Sequence, residues 1–310
     1  MKKKFISTKV IITAIVSLIV CIGCFLTAII IIFNSNCTLA KELKNHNFSI
    51  LDDFEFNGRF TSKFNDTRSI TIDDNIEKIN INSTAADIEV EFTNSIATEI
   101  KMTIEGTFSD TKSFEDIIGD FGYSNNIATI STKENSLSFG TFKLKLFIPS
   151  QYKNNININT VSGDIDCSNA ITLSSFNIEA TSGDIEINNL NTQNTSISTI
   201  SGDIDIENFK TKQSNINTTS GDIYAETSEL GISKIKTTSG DIDIEMTRLD
   251  KSMDINSTSG DVYLTVPSKE NFDVNFSSLS GDLYDDSSHK SGEKIINVIT
   301  KSGDLDISDN

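Results

Sequence analysis

The chain has 310 residues, with 26 basic and 44 acidic side chains and a formal net charge of −18. An acidic excess of this size argues against nucleic acid and anionic lipid headgroups as partners, because both need cationic surfaces; cations or a basic partner fit better. Two histidines (His46, His289), three arginines (Arg59, Arg68, Arg248) and no tryptophan leave little with which to build a catalytic centre or a sugar-binding platform.

Taken in chain order, residues 1–9 form a basic cytoplasmic tail with Lys2, Lys3, Lys4 and Lys9. Val10 to Phe33 is free of charge and rich in Ile, Val, Leu, Phe and Ala. A helix rising about 1.5 Å per residue would carry this run across a bilayer. The lysines before it place the N-terminus in the cytoplasm and the rest of the chain outside, as a single-pass protein of the cell membrane. Cys24 after Gly23 leaves a lipoprotein cleavage site as the alternative, opposed by the apolar run Phe25 to Phe33 that follows. Without the four N-terminal lysines, 22 basic residues face 44 acidic ones, a charge of −22 on the exterior.

Residues 34–68 read as a polar stalk or lead-in, and 69–149 as an irregular N-terminal part of a β-domain. Within it Ile79, Ile81, Ile88 and Val90 alternate with polar residues around Ala85-Ala86-Asp87. The pattern breaks over 106–135, where a loop or short helix is expected near Phe114 to Ile118. It returns at Thr141 to Ile148, and Pro149 closes that run.

From residue 150 to 310 Ser-Gly-Asp recurs eight times, with its serines at Ser162, Ser182, Ser201, Ser220, Ser239, Ser259, Ser280 and Ser302. Four residues before each Ser the chain is apolar (Ile158, Ile178, Ile197, Ile216, Ile235, Ile255, Phe276, Val298), and two before it the residue is small. The third residue after each Ser is Ile, Val or Leu, and the fifth is apolar except for Asp285. This is strand alternation on both sides of a corner that shifts its phase by one residue. Gly supplies the unusual backbone and Asp a hydrogen bond to the backbone just beyond it. Leu190, Phe209, Leu230 and Leu249 mark a third short strand. The fold class expected is therefore all-β: a parallel β-helix or β-solenoid with about 19–22 residues per coil, its neighbours about 4.8 Å apart. An antiparallel sandwich would not require matching turns. Ala85-Ala86-Asp87 reads as a degenerate early coil. Asp304, Asp306 and Asp309 in the last repeat would discourage strand addition at the end of the stack. Cys167 takes an inward position as a small core residue.

Outward positions after the turn are acidic. Asp203, Asp205, Glu207, Asp222, Glu226, Asp241, Asp243 and Glu245 form one strip over three coils. Carboxylates this close repel by roughly 1 kcal/mol per pair in water. Calcium, or magnesium, is the candidate cofactor that would relieve this; a solvated acidic face is the alternative. Tyr224, Tyr263 and Tyr284 replace acids in that row, and Tyr263 and Tyr284 are expected to neighbour one another, as a sugar-binding pair or a plain cross-strand contact.

Phe147-Ile148-Pro149, the alternating strands and the tandem Thr-Ser-Gly-Asp-Ile turns resemble the bacterial putative-adhesin domain family, including LiaG-like envelope proteins, over roughly residues 69–310. The resemblance implies a β-solenoid displayed outside the cytoplasmic membrane, with roles in adhesion or envelope stress, and brings no catalytic motif. The function expected is a non-catalytic, adhesin-like or cell-envelope interaction module. Its partners would be an envelope polymer or another surface protein, with no nucleic acid among them. An accessory role in envelope-stress signalling is the alternative, and a carbohydrate-active enzyme the third reading.

Overall fold

The computed structural model describes residues 62–93, 98–133, 140–169 and 171–310. The tail, the 10–33 span and most of the lead-in lie outside the described residues. No helix among the described residues is long and apolar enough to cross a membrane.

Alternating side chains set the strands. β1 (Ser62–Thr71), β2 (Lys78–Ser83), β3 (Asp87–Thr93) and β4 (Glu99–Phe108) precede one helical turn, α1 (Phe114–Ile117). β5 (Ile118–Ser124), β6 (Ile127–Thr132) and β7 (Gly140–Pro149) follow. The repeats then supply β8 (Asn155–Ser162), β9 (Ile165–Ser168), β10 (Ile171–Ser182), β11 (Ile185–Asn188), β12 (Leu190–Ser198) and β13 (Ile204–Glu207). β14 (Lys210–Asn217), β15 (Ile223–Lys236), β16 (Ile242–Leu249), β17 (Met253–Asn256) and β18 (Val262–Val266) continue the stack. β19 (Asn271–Ser277), β20 (Leu283–Asp285), β21 (Lys290–Ile299) and β22 (Leu305–Asp309) end it. All join one solenoid-like sheet that coils around a single core.

Before the turn the strands stack in the order β6, β2, β8, β10, β12, β14, β15, β17, β21, β19, parallel throughout. After the turn the order is β7, β3, β9, β11, β13, β15, β16, β18, β22, β20, again parallel. β5 on β6, and β4 on β7 with β1 beyond it, close the N-terminal end in antiparallel fashion. Ala85-Ala86-Asp87 does mark a coil: Ile81 lies against Ile158 and Ile88 against Ile165. Isoleucine sits on isoleucine up the core, and Ile158, Ile178, Ile197 and Ile216 are fully buried. The small residue two before each Ser fits beneath the corner. Thr218 and Thr237 use its hydroxyl to donate to the carbonyls of Gly202 and Gly221, one coil back.

The corner glycine is required twice over. Gly183 has φ +122°, and a Cβ there would lie 2.3 Å from the carbonyl oxygen of Gly163 in the coil below. No side chain tolerates either condition. A second corner, absent from the sequence reading, follows the post-turn strands β9, β11 and β13. Asn169, Asn189 and Asn208 hold it with φ of 74°, 61° and 54°, in the left-handed region that asparagine enters most readily among side-chain-bearing residues.

The last two coils exchange places. β21 and β22, carrying Ser302, lie between the coil of Ser259 and the coil of Ser280. The end of the stack is thus the Ser280 coil, where Leu279 and Leu283 are exposed, and Asp304, Asp306 and Asp309 belong to an inner coil. Asp285, at an inward position otherwise apolar, accepts hydrogen bonds from the Ser287 amide and hydroxyl. His289 stacks on the buried Phe272 ring at 4.3 Å and roofs the core there.

Thr227 occupies the second corner of the fourth repeat with φ 50°, an unfavourable setting for a β-branched residue, and its side chain is exposed. Thr227→Asn is expected to stabilise the protein by about 1 kcal/mol, read as a rise in the urea midpoint with an unchanged slope.

Candidate interaction face

The face after the Ser-Gly-Asp corner carries the residues singled out above. From each Ser to the sixth residue beyond it no repeat contains Lys, Arg or His. The turn aspartates make a continuous ladder: each backbone N–H donates to the Oδ1 of the aspartate in the adjoining coil. The bonds run Asp164 to Asp87 (3.2 Å), Asp184 to Asp164 (3.0 Å), Asp203 to Asp184 (2.9 Å), Asp222 to Asp203 (2.8 Å) and Asp241 to Asp222 (2.7 Å). They continue from Asp261 to Asp241 and from Asp304 to Asp261, both at 2.8 Å, and end with Asp282 to Asp304 at 2.9 Å. The hydrogen bond expected within each turn is instead made between turns, which locks register as well as shape.

Beside the ladder runs a row of outward side chains in direct register: Glu89, Asp166, Glu186, Asp205, Tyr224, Asp243, Tyr263, Asp306 and Tyr284. The coil exchange puts Asp306 between Tyr263 and Tyr284, so these tyrosines are not neighbours; from Asp205 onward acid and tyrosine alternate. The Tyr224 hydroxyl donates to Asp222 Oδ2 at 3.0 Å and the Tyr263 hydroxyl to Asp261 Oδ2 at 3.4 Å. Each ring therefore leans back over its own turn. The hydrogen bond to Asp222 pushes the Tyr224 phenol up to about 12.

The first four members of the row are all acids. Burial works against ionisation of Glu89, but the ammonium groups of Lys143 and Lys145, each 3.2 Å away, outweigh it and hold its carboxyl below the usual value. At Asp166 the same two lysines do not prevail: burial first, then the charges of Glu186 and Glu89, push its carboxyl up. Burial, Glu186 and Glu207 do the same to Asp205, and burial and Glu245 to Asp243. Sequence reasoning passed over Glu89 because its coil lacks Ser-Gly-Asp, although it stands four residues after Ala85 just as Asp166 stands four after Ser162.

The eight residues considered for calcium thus divide three ways. Asp203, Asp222 and Asp241 belong to the turn ladder, and Asp205 and Asp243 to the acid–tyrosine row. Glu207 and Glu226 are opposed in a second outward row, from which a bulge after Ala225 offsets Glu245. They pair along columns, and among the described residues no three His, Cys, Asp or Glu side chains converge closely enough to hold a metal ion.

A coil with one invariant corner per turn, its outward residues ranked in columns, defines a repetitive all-β, solenoid-like protein. The chain belongs to the Toastrack DUF4097 family, which matches residues 76–308. No curated protein matches it by sequence. Among solved structures it is similar to a "putative adhesin" of Bacteroides fragilis, at 17% identity over 80% of this chain and 98% of that one, with a TM-score of 0.51. A "putative adhesin" of Parabacteroides distasonis gives 13% identity, coverage of 78% and 97% and a TM-score of 0.51. A "putative lipid binding protein" of the same organism gives 16%, 79% and 96%, and 0.51. At these identities the likeness is one of fold.

Asp222→Ala removes the acceptor for the Asp241 amide and is expected to cost about 1.5–3 kcal/mol. Asp222→Asn keeps an acceptor oxygen and should cost far less; chemical denaturation distinguishes the two. Asp166→Asn is expected to stabilise the protein at pH 7 by a few tenths of a kcal/mol, since solvent screens this row. Folding raises the Asp166 pKa, so its destabilising effect is present in full above the folded pKa. The effect disappears below the unfolded value of about 3.9. The gap between variant and parent melting curves should therefore close as pH falls through that window.

Proposed function

We propose that the protein is a non-catalytic, membrane-anchored module displayed outside the cytoplasmic membrane, which holds an envelope polymer or another surface protein along its coil. The observation that carries this reading is the repetition of the exposed side chains. Tyr224, Tyr263 and Tyr284, with acids between them, recur along a straight row on successive coils. Equivalent contacts in line suit an extended partner, and weak individual contacts add through multivalency. A reaction centre would instead need different groups gathered at one point. Membership of the Toastrack family and the adhesin names given to structures of this fold support the same reading. The apolar run from Val10 to Phe33, with lysines on one side only, supports the anchor.

The test is crosslinking on intact cells that express the tagged full-length chain. A wall polymer or surface protein should be recovered, and recovery should fall for the Tyr224→Ser/Tyr263→Ser double variant. Added protease should remove the coil once the wall is stripped. Protection of the coil in protoplasts, or recovery no better than that of an unrelated tagged membrane protein, would overturn the proposal.

A further inference from the structure

Several basic side chains of the repeats meet in a groove of about 500 Å³ beside a further corner of the coil, at Ser174, Gln193 and Lys212, where the ladder of β10, β12 and β14 is interrupted. Lys153, Lys210, Lys212 and Arg248 line it, against only Glu229 and Asp250. The groove is therefore cationic, on a chain whose net charge is −18.

Register orders these groups along the stack. Lys210, Glu229 and Arg248 stand on successive rungs. Glu229 Oε2 lies 2.6 Å from Lys210 Nζ and 4.0 Å from Arg248 Nη1, while Arg248 Nε reaches Asp250 at 2.5 Å. The two acids thus orient two of the cations. Lys153 and Lys212 have no ion pair among the described residues, and both are exposed. The Ser174 amide bonds the Lys153 carbonyl, and Ser174 and Lys212 hold the same corner two coils apart. Lys153 and Lys212 are accordingly three rungs apart, about 14 Å at the usual strand spacing.

We propose that this groove binds a linear polyanion with phosphate groups in its backbone, laid along the stack. A single phosphate cannot meet Lys153 and Lys212 together, whereas a chain meets both and passes Lys210 and Arg248 on the way. A concave groove admits a chain better than it fits a flat bilayer. The acidic row from Asp166 to Asp306 repels the same polymer and does not compete for it. The proposal rests on the reading of the coil as an envelope-facing module and names the chemistry of one partner.

Labelled inorganic polyphosphate, titrated against the full-length chain in detergent at low salt, tests it by anisotropy. Binding should weaken steeply with added salt. Lys153→Gln/Lys212→Gln should weaken it roughly tenfold and lower the salt slope by about two, since each lysine answers for about one phosphate contact. Lys153→Arg/Lys212→Arg should bind like the parent, as should Lys236→Gln outside the groove, with equal melting temperatures certifying the fold of every variant. No binding at low salt, or equal weakening by Lys236→Gln, overturns the groove. So does competition by orthophosphate at equal phosphate concentration, or binding to phosphatidylglycerol vesicles without binding to polyphosphate. If polyphosphate binding fails while cell-surface crosslinking still recovers a partner, the groove alone is refuted. If polyphosphate binds and crosslinking recovers nothing, the display reading falls instead.

Discussion

Parallel strands stacked in register place every residue on its counterpart in the next coil, and here the corner enforces that register. The carbonyl oxygen of Gly163 fills the space a Cβ at Gly183 would need, and the carboxylate of Asp164 receives the amide of Asp184. A slip of one residue would drive a side chain into a backbone carbonyl and leave an aspartate without its donor. Everything else on the coil is ranked by this lock, both the isoleucine columns inside and the acids outside. Surface chemistry on such a scaffold comes in lines, which is why neither the acidic face nor the basic groove has the shape of a pocket closed around one point.

The lines also explain the electrostatics. From Glu89 to Asp205 the row stacks four carboxylates at about 4.8 Å, and Asp166, between Glu89 and Glu186, is held above its ordinary value partly by their charges. Beyond Asp205 a tyrosine stands between successive acids and doubles their separation. Carboxylates two rungs apart lie beyond the Debye length of physiological salt, about 8 Å, so most of their repulsion is screened. The exchange of the last two coils extends this alternation to the end of the row. In chain order Tyr263 and Tyr284 would have been adjacent, with Asp306 outside them.

Much of this was legible in the sequence. The period, the inward offsets, the degenerate coil at Ala85 and the break in the pattern around Phe114 all follow from spacing and alternation. The order of the final coils does not, because the repeats of Ser280 and Ser302 carry the same corner and either could sit on the coil of Ser259. The destination of the aspartate oxygen was hidden for a related reason: a motif shows which residues stand side by side along the chain, not which stand one above another. The left-handed corners at Asn169, Asn189 and Asn208 were lost among the many asparagines of the chain. The basic groove was masked by the net charge, a whole-molecule quantity that says nothing about how the two signs are distributed between flanks.

The exchanged coils have a consequence for how the protein is made. Chains become available for folding N-terminus first, and a solenoid with coils in sequence order can add each rung as it appears. Here β19 and β20 must wait for β21 and β22, the strands between them and the existing stack. Until residues 290–309 have emerged, the rung of Ser259 exposes an open edge, and the residues that will finally cover the stack have nothing to rest on. Assembly of this end is therefore closer to closing a clasp than to laying another course.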